Sequence, residues 1–303
     1  MPLLRRTPRP KISVVVIFYN MRREAARTLY SLTTRYQQGI SEDDYEVLVI
    51  DSGSQEPLDK NHVTSLQRNF RYQFVETSLP TPCQAMNTGI EMARGKTVAC
   101  LVDGARILSP GILQNMQRAT MLFKRPLVYT IGMHLGSIRQ NQAMQEGYDQ
   151  HIEDELLASV DWQQNGYSLF DIACLAGSSK DGFINPIYES NCFSVARSAL
   201  LDIGGFDEAF QSPGGGLVNL DVFRKFTTDP DISPVMLVGE ATFHQFHGGV
   251  STNVPVADSP WKKYQAEYAA LRGQEFDFIG FPSPPYIMGE LREESRRFFL
   301  PPV

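Results

Sequence analysis

Two aspartates in this chain stand where an apolar run breaks off. Asp51 closes the run that begins at Tyr45 and opens Asp51-Ser52-Gly53-Ser54, and Asp103 closes Thr97–Asp103. A third run, Lys11–Asn20, stops at Phe18-Tyr19-Asn20. Val- and Ile-rich runs without polar alternation read as strands buried on both faces, hence as parallel strands covered by helices. Polar residues and Gly at the carboxyl ends of such strands lie where an open α/β sheet binds its ligand. Two carboxylates on one edge can hold a ribose and base on one side and a metal-bound pyrophosphate on the other. A nucleotide-type ligand is therefore the first expectation. Arg106, just beyond Asp103, is expected as a solvated surface charge, the alternative being a guanidinium that grips diphosphate oxygens through paired hydrogen bonds.

The elements that must position these groups follow from the hydrophobic pattern. Arg22–Tyr36 carries a helical stripe at Ala26, Leu29, Tyr30 and Leu32. Further helices are expected at Val63–Asn69, Gln84–Arg94 and Gly111–Lys124, and strands at Tyr72–Glu76 and Leu127–Gly132. This β-α-β-α order implies a mostly parallel sheet with right-handed crossovers. Later in the chain, His151–Trp162 and Arg197–Ile203 read as helices, Asn191–Val195 and Val235–Gly239 as strands, and Gly177–Glu189 as a long loop. The tail from Val254 holds many prolines around two expected helices, near Trp261–Arg272 and Gly289–Phe298.

Composition narrows the classes. Of 303 residues, 42% are hydrophobic and 20% charged, ordinary values for a globular protein. A net charge of −6 offers no global attraction to nucleic acid or anionic lipid, so a phosphate site has to be local. Cys83, Cys100, Cys174 and Cys192 form no C-x-x-C pair and are expected as reduced, mostly buried thiols. No apolar segment approaches the roughly 18 residues of a membrane span. The basic, Pro-rich start lacks the apolar core of a secretory signal, and a cytoplasmic location is expected.

Four motifs in order resemble the nucleotide-sugar glycosyltransferases of the GT-A fold, the family 2-like group. They are the strand ending in Tyr19-Asn20, the Asp51-Ser52-Gly53-Ser54 turn, Asn87-Thr88-Gly89-Ile90, and Gly204-Gly205-Phe206-Asp207-Glu208-Ala209-Phe210. The resemblance implies one GT-A-like domain over residues 1–250, with a nucleotide-binding half at 11–132 and an acceptor half at 133–249, followed by a Pro-rich extension at 251–303. It further implies transfer of a sugar from a nucleoside diphosphate donor to a glycan or other hydroxyl acceptor, with inversion. Asp51 would recognise the base, Phe18, Tyr19 and Asn20 would line its pocket, and Asn87 and Asp103 would contact the donor. A divalent cation, Mn²⁺ or Mg²⁺, would bind Asp103 and a late histidine, His247 ahead of His244; imidazole favours Mn²⁺.

Two departures from the family pattern bear on chemistry. The Asp-x-Asp motif reads Asp103-Gly104-Ala105, which removes the second carboxylate. The Gly-Gly-Glu-Asp-like segment reads Gly214-Gly215-Gly216-Leu217-Val218-Asn219-Leu220-Asp221, which leaves Asp221 as the expected general base, against the plainer reading of a first-turn acid in a helix capped by Asn219. Failing Asp221, either Glu189 acts, or the mechanism is retaining and needs no enzymic base, or catalysis is lost. Trp162, Tyr167, Tyr188 and Trp261 are available to stack on an acceptor sugar. Two rival functions are a catalytically altered GT-A module that binds nucleotide or glycan as a scaffold, and a nucleotidyltransferase; the latter lacks its Gly-rich basic loop here.

Overall fold

The computed structural model of the chain describes residues 9–184, 190–250, 252–255, 258–278, 281 and 284–299. Its centre is a ten-stranded sheet. In chain order the strands are β1 (Ile12–Phe18), β2 (Tyr45–Ser52), β3 (Phe70–Val75), β4 (Thr97–Leu101), β5 (Arg106–Leu108), β6 (Pro126–Leu135), β7 (Ala173–Leu175), β8 (Cys192–Ala196), β9 (Ser233–His244) and β10 (Tyr286–Gly289). The main path runs β10-β9-β6-β8-β4-β1-β2-β3, with β5 on β9 and β7 on β6. β8 is antiparallel to both β4 and β6, and β1 is parallel to β2 and β4.

The helices are α1 (Arg22–Ser31), α2 (Lys60–Leu66), α3 (Cys83–Met92), α4 (Ile112–Leu122), α5 (Gln140–Ala143), α6 (Gln150–Ala158), α7 (Arg197–Asp202), α8 (Val218–Thr227) and α9 (Trp261–Arg272). Alternation along the strands shows why apolar runs were needed. Val15, Ile17, Leu48, Ile50, Val98 and Cys100 join one core cluster, while Val14, Val16, Phe18, Val47, Val49 and Leu101 join a second. Successive strand side chains point to opposite faces, so a sheet covered on both sides has no position for an exposed polar residue until its strands end.

The expected elements of the first half are present with shifted ends, and the tail helix Trp261–Arg272 is found over those same residues. The expected helix Gly289–Phe298 is not: its first residue ends β10, and only Arg296–Phe298 forms a turn of 3₁₀ helix. The strand expected at Val235–Gly239 extends to His244, because β6 and β5 offer it partners that a local pattern does not contain. The four cysteines are free. Among the described residues no helix is long and apolar enough to cross a membrane.

Candidate active site

Sheet register brings the two strand-end aspartates to one edge. Phe18 pairs with Asp51 across β1 and β2, and Val16 pairs with Leu101 across β1 and β4, which sets Asp103 level with Phe18 on the opposite flank. Asp51 and Asp103 thus lie two strands apart, about 10 Å by ordinary strand spacing. A cleft of about 810 Å³ opens along this edge, lined by Tyr19, Asn20 and Ser52, by Asp103, Arg106 and His247, and by Gly214, Trp261 and Tyr264. Gly104 has to be glycine, since a Cβ there would lie 2.3 Å from the Ile17 carbonyl oxygen and 2.5 Å from the Phe18 ring.

Asp103 is the hub. Its Oδ1 accepts from the Ala105 amide at 3.0 Å, and its Oδ2 lies 3.0 Å from His244 Nε2 and 3.6 Å from Arg106 Nε. His247 Nε2 is 3.7 Å from Oδ1 and 3.3 Å from His244 Nε2. Arg106 and His244 are cross-strand partners on β5 and β9, and His134 pairs with His244 from β6, so three charged or titratable side chains share one row. Burial pushes the His244 imidazole down to about 4 and His134 well below its usual value, which leaves both neutral at pH 7. Burial alone would push Asp103 upward, yet its charged surroundings, His247 first and Arg106 among them, outweigh it and hold the carboxyl well below its usual value.

Gln140 orients the ring. Its Oε1 lies 2.6 Å from His244 Nδ1 and its Nε2 donates to the His244 carbonyl at 2.9 Å. With Nδ1–H given to Gln140, the lone pair of His244 Nε2 faces Asp103 Oδ2, and the His247 nitrogen completes a set of three ligand atoms within 4.8 Å of one another. The lone pair of a neutral His244, a second imidazole nitrogen and a carboxylate converge here, an arrangement that a divalent cation satisfies. Two nitrogens and one oxygen suit Mn²⁺ better than Mg²⁺, which favours all-oxygen ligation.

The second missing carboxylate is physically explained. Ala105 is fully buried, and the next side chain, Arg106, is only 3% exposed although it lines the cleft. Its Nη1 donates a long 3.3 Å bond to Thr242, and its Nε has no hydrogen-bond partner. At the position of the motif's second acid a buried alanine stands, and the neighbouring side chain is a buried guanidinium.

Residues 13–117 match the model of glycosyl transferase family 2. This segment is similar to glycosyl transferase family 2, and it lies in a GT-A fold. The search of curated proteins gave no match. Among solved structures, S. aureus TarS 1-349 aligns at a TM-score of 0.51 and 15% identity, over 78% of this chain and 60% of that one. The same protein in complex with UDP-GlcNAc aligns at 0.52 and 15%, over 78% and 59%. The mannosyltransferase PcManGT from Pyrobaculum calidifontis, in complex with GDP-Man and Mn²⁺, aligns at 0.50 and 18%, over 91% and 67%. The chain thus spans about 60% of the length of the TarS structures it matches first, and at these identities the likeness is one of fold.

Within this fold the expected site residues divide. Tyr19 and Asn20 line the cleft; Asn20, at φ 53°, also accepts from the Gln55 amide at 2.9 Å and so joins the β1 and β2 ends. Phe18 does not line it, because its ring is buried in the core. Asp51 reaches the edge fully buried, its oxygens taken by the amides of Ser54 at 3.2 Å and Leu58 at 2.8 Å, while its neighbour Ser52 faces the cleft. Asn87 is corrected more sharply: its side chain accepts from the Phe206 amide at 2.8 Å and donates to the Phe206 carbonyl at 2.8 Å and to Glu208 at 3.0 Å, clamping the Gly204–Phe210 segment to α3.

Asp221, expected as the base, is corrected as well. It lies in the first turn of α8, 3% exposed and absent from the cleft lining, with Arg272 Nε at 3.0 Å, Arg272 Nη2 at 2.8 Å and Lys225 Nζ at 3.0 Å. Burial would raise its pKa, but Arg272 and Lys225 outweigh that and hold it below the ordinary value, the wrong direction for a proton acceptor. Asn219 is not the cap of α8; it sits inside the helix, lines the cleft and donates to Ser190 at 3.0 Å. Trp162 and Tyr167 are buried core, whereas Trp261 lines the cleft. Tyr188 and Glu189 lie outside the described residues.

Sequence reasoning passed over Gln140 and Glu153. Glu153 is buried, accepts from the Phe246 amide at 2.6 Å and from Arg23 at 3.2 Å, and is pushed up to about 7 by burial. It fixes the turn between His244 and His247 from a distance of some ninety positions, for which no local motif exists.

Proposed function

We propose that this chain transfers a sugar from a nucleoside diphosphate donor to a hydroxyl acceptor, with the donor diphosphate held on a divalent cation by Asp103, His244 and His247. The convergence of one ionised carboxylate and two histidines, Asp103 and His247 lining the cleft and His244 buried behind them, carries this reading. The UDP-GlcNAc of the TarS complex and the GDP-Man and Mn²⁺ of the PcManGT complex support it, as does the family 2 segment that supplies β1, β2 and Asp103. When bound, the cation supplies positive charge that stabilises the departing diphosphate.

The chain's own residues do the rest. Gln140 holds His244 in the Nδ1–H tautomer, and Glu153 holds the turn carrying His247. Arg106 brings a preformed guanidinium to the same leaving group, where fixed charge in a water-poor site acts with little reorganisation. Tyr19, 54% exposed at the end of β1, offers its ring to the base, and Asn20 and Ser52 offer polar contacts beside it. Apart from Asp103, no described acid lines the cleft, so an inverting transfer draws its base from outside the described lining.

That last observation favours one second reading, a module that binds the donor without transferring it. The two are separated by incubating the protein with a panel of nucleotide sugars, Mn²⁺ and candidate acceptors and following nucleoside diphosphate release. Turnover that falls at least about 100-fold in Asp103→Ala supports transfer. Mn²⁺-dependent binding by calorimetry without any turnover supports the module, and no binding at all rejects both.

A further inference from the structure

The cleft has a wall that the donor does not need. Leu79, Val250 and Trp261 are 40%, 43% and 40% exposed and all line it. They come from three distant segments: the stretch after β3, the stretch after β9, and the first residue of α9. All three segments meet at Pro213-Gly214. The Gly214 amide donates to the Pro80 carbonyl at 2.8 Å, a Cβ on Gly214 would lie 3.0 Å from Val250 Cγ2, and Tyr264, one turn after Trp261, donates its hydroxyl to the Pro213 carbonyl at 3.1 Å.

This meeting point is built for close approach. Gly214, Gly215 and Gly216 have φ values of 71°, 85° and 55°, all in the left-handed region open chiefly to glycine. A Cβ on Gly215 would lie 2.9 Å from Pro82, and one on Gly216 2.8 Å from Glu267 of α9. α9 is fixed above the glycines by Glu267, which accepts from the Gln211 and Ser212 amides at 2.7 and 2.8 Å, and by the Arg272–Asp221 pair. Phe278 stacks on Trp261 at 6.2 Å with planes 13° apart, holding the indole in place. Among the described lining residues the only full charges are Asp103 and Arg106.

We propose that this wall is an acceptor subsite for a molecule carrying an apolar group, aliphatic or aromatic, next to the hydroxyl that receives the sugar. The inference rests on the transfer reading for the identity of the occupant as acceptor. Three large apolar side chains held at the mouth of a cleft and left two-fifths exposed lose their water when an apolar surface covers them. An all-polar acceptor leaves that surface wet and gains nothing from Leu79 or Val250. Continuity with Asp103 and His247 in one cleft directs the patch toward a substrate.

The two tryptophans supply the test, because Trp162 is buried against Tyr30 and Tyr36 while Trp261 faces the cleft. The full chain with Mn²⁺ and UDP or GDP is titrated with octyl β-glucoside below its micelle concentration and with methyl β-glucoside, following tryptophan emission and calorimetric heat. The octyl compound should bind at least about tenfold more tightly, since burying even part of its added chain exceeds that gain. Its blue shift should vanish in Trp261→Phe with binding retained. Leu79→Asp should weaken octyl binding about tenfold while nucleotide binding stays as it was. Equal affinity for the two glucosides, or an octyl preference that survives both Leu79→Asp and Val250→Asp, overturns the proposal. A wild-type protein that binds neither nucleotide yet keeps the Leu79-dependent octyl preference removes the donor reading and leaves the apolar subsite standing.

Discussion

The two sides of the cleft are built by different means. On the proposed donor side, Asp51 lies at the end of β2 and Tyr19 and Asp103 just beyond β1 and β4, three neighbouring parallel strands, and their spacing is a property of sheet register. On the proposed acceptor side, Gly214, Trp261 and Val250 come from a glycine turn, a late helix and a loop, and their spacing depends on side-chain clamps such as Arg272–Asp221 and Glu267 with two backbone amides. A register can be disturbed only by moving whole strands, whereas a clamp fails with one side chain. Substitutions on the donor side should therefore alter chemistry in a folded protein, and substitutions at the acceptor-side clamps should alter stability first.

Short of replacing Asp103 itself, the largest effect is expected at Gln140. Gln140→Leu removes the acceptor that fixes the His244 tautomer, and Mn²⁺ affinity measured by calorimetry should fall roughly 10–100-fold, as for other partners of metal-bound histidines. An unchanged affinity would mean that His244 is not a ligand and would erase the donor side's claim to the chemistry. Arg106→Gln comes next. Binding of UDP or GDP in the presence of a chelator should weaken about tenfold, with a shallower salt dependence, since one charge-assisted contact is lost. The same binding in the variant and the wild type would assign Arg106 to holding Asp103 alone.

Asp221→Asn sharpens the contrast from the other side. Nucleotide binding should change by less than about threefold, while stability at pH 7 falls by about 2 kcal/mol, below the range for fully buried pairs because Arg272 and Lys225 are partly solvated. The pH dependence has a fixed sign. Asp221 has its folded pKa below the unfolded value, so its contribution is complete above about pH 4 and disappears as pH drops through the folded value. Urea denaturation of both proteins should show their difference at pH 7 closing below about pH 4.

The same division explains what could be read from the chain. Buried parallel strands advertise themselves as unbroken apolar runs, so β1, β2 and β4 and the edge residues that follow were legible, including Asp103. The side-chain direction at those ends was not: Asp51 and Phe18 turn inward because the loop to Leu58 and the close pass of Gly104 take up their space. Asp221 misled for a related reason, since an acid in a first helical turn has the same local pattern whether it faces a cleft or, as here, an arginine 51 positions downstream. His244 and His247 were visible as a spacing, while Gln140 and Glu153, which make the spacing useful, carry no pattern at all. Ala105 looked like a loss, and only the buried Arg106 shows what stands in its place.

The pairing of β10 with β9 has a bearing on how the protein can be handled. Tyr286–Gly289 covers Val235–Val238, a stretch of four large apolar residues in the middle of the long β9 strand, and α9 lies in the same C-terminal segment. A chain shortened after Gly249 would lose the Trp261 wall and at the same time bare an apolar strand edge, the kind of surface through which molecules zip together into aggregates. Poor solubility and loss of binding at the Trp261 wall should thus arrive together in such a truncation.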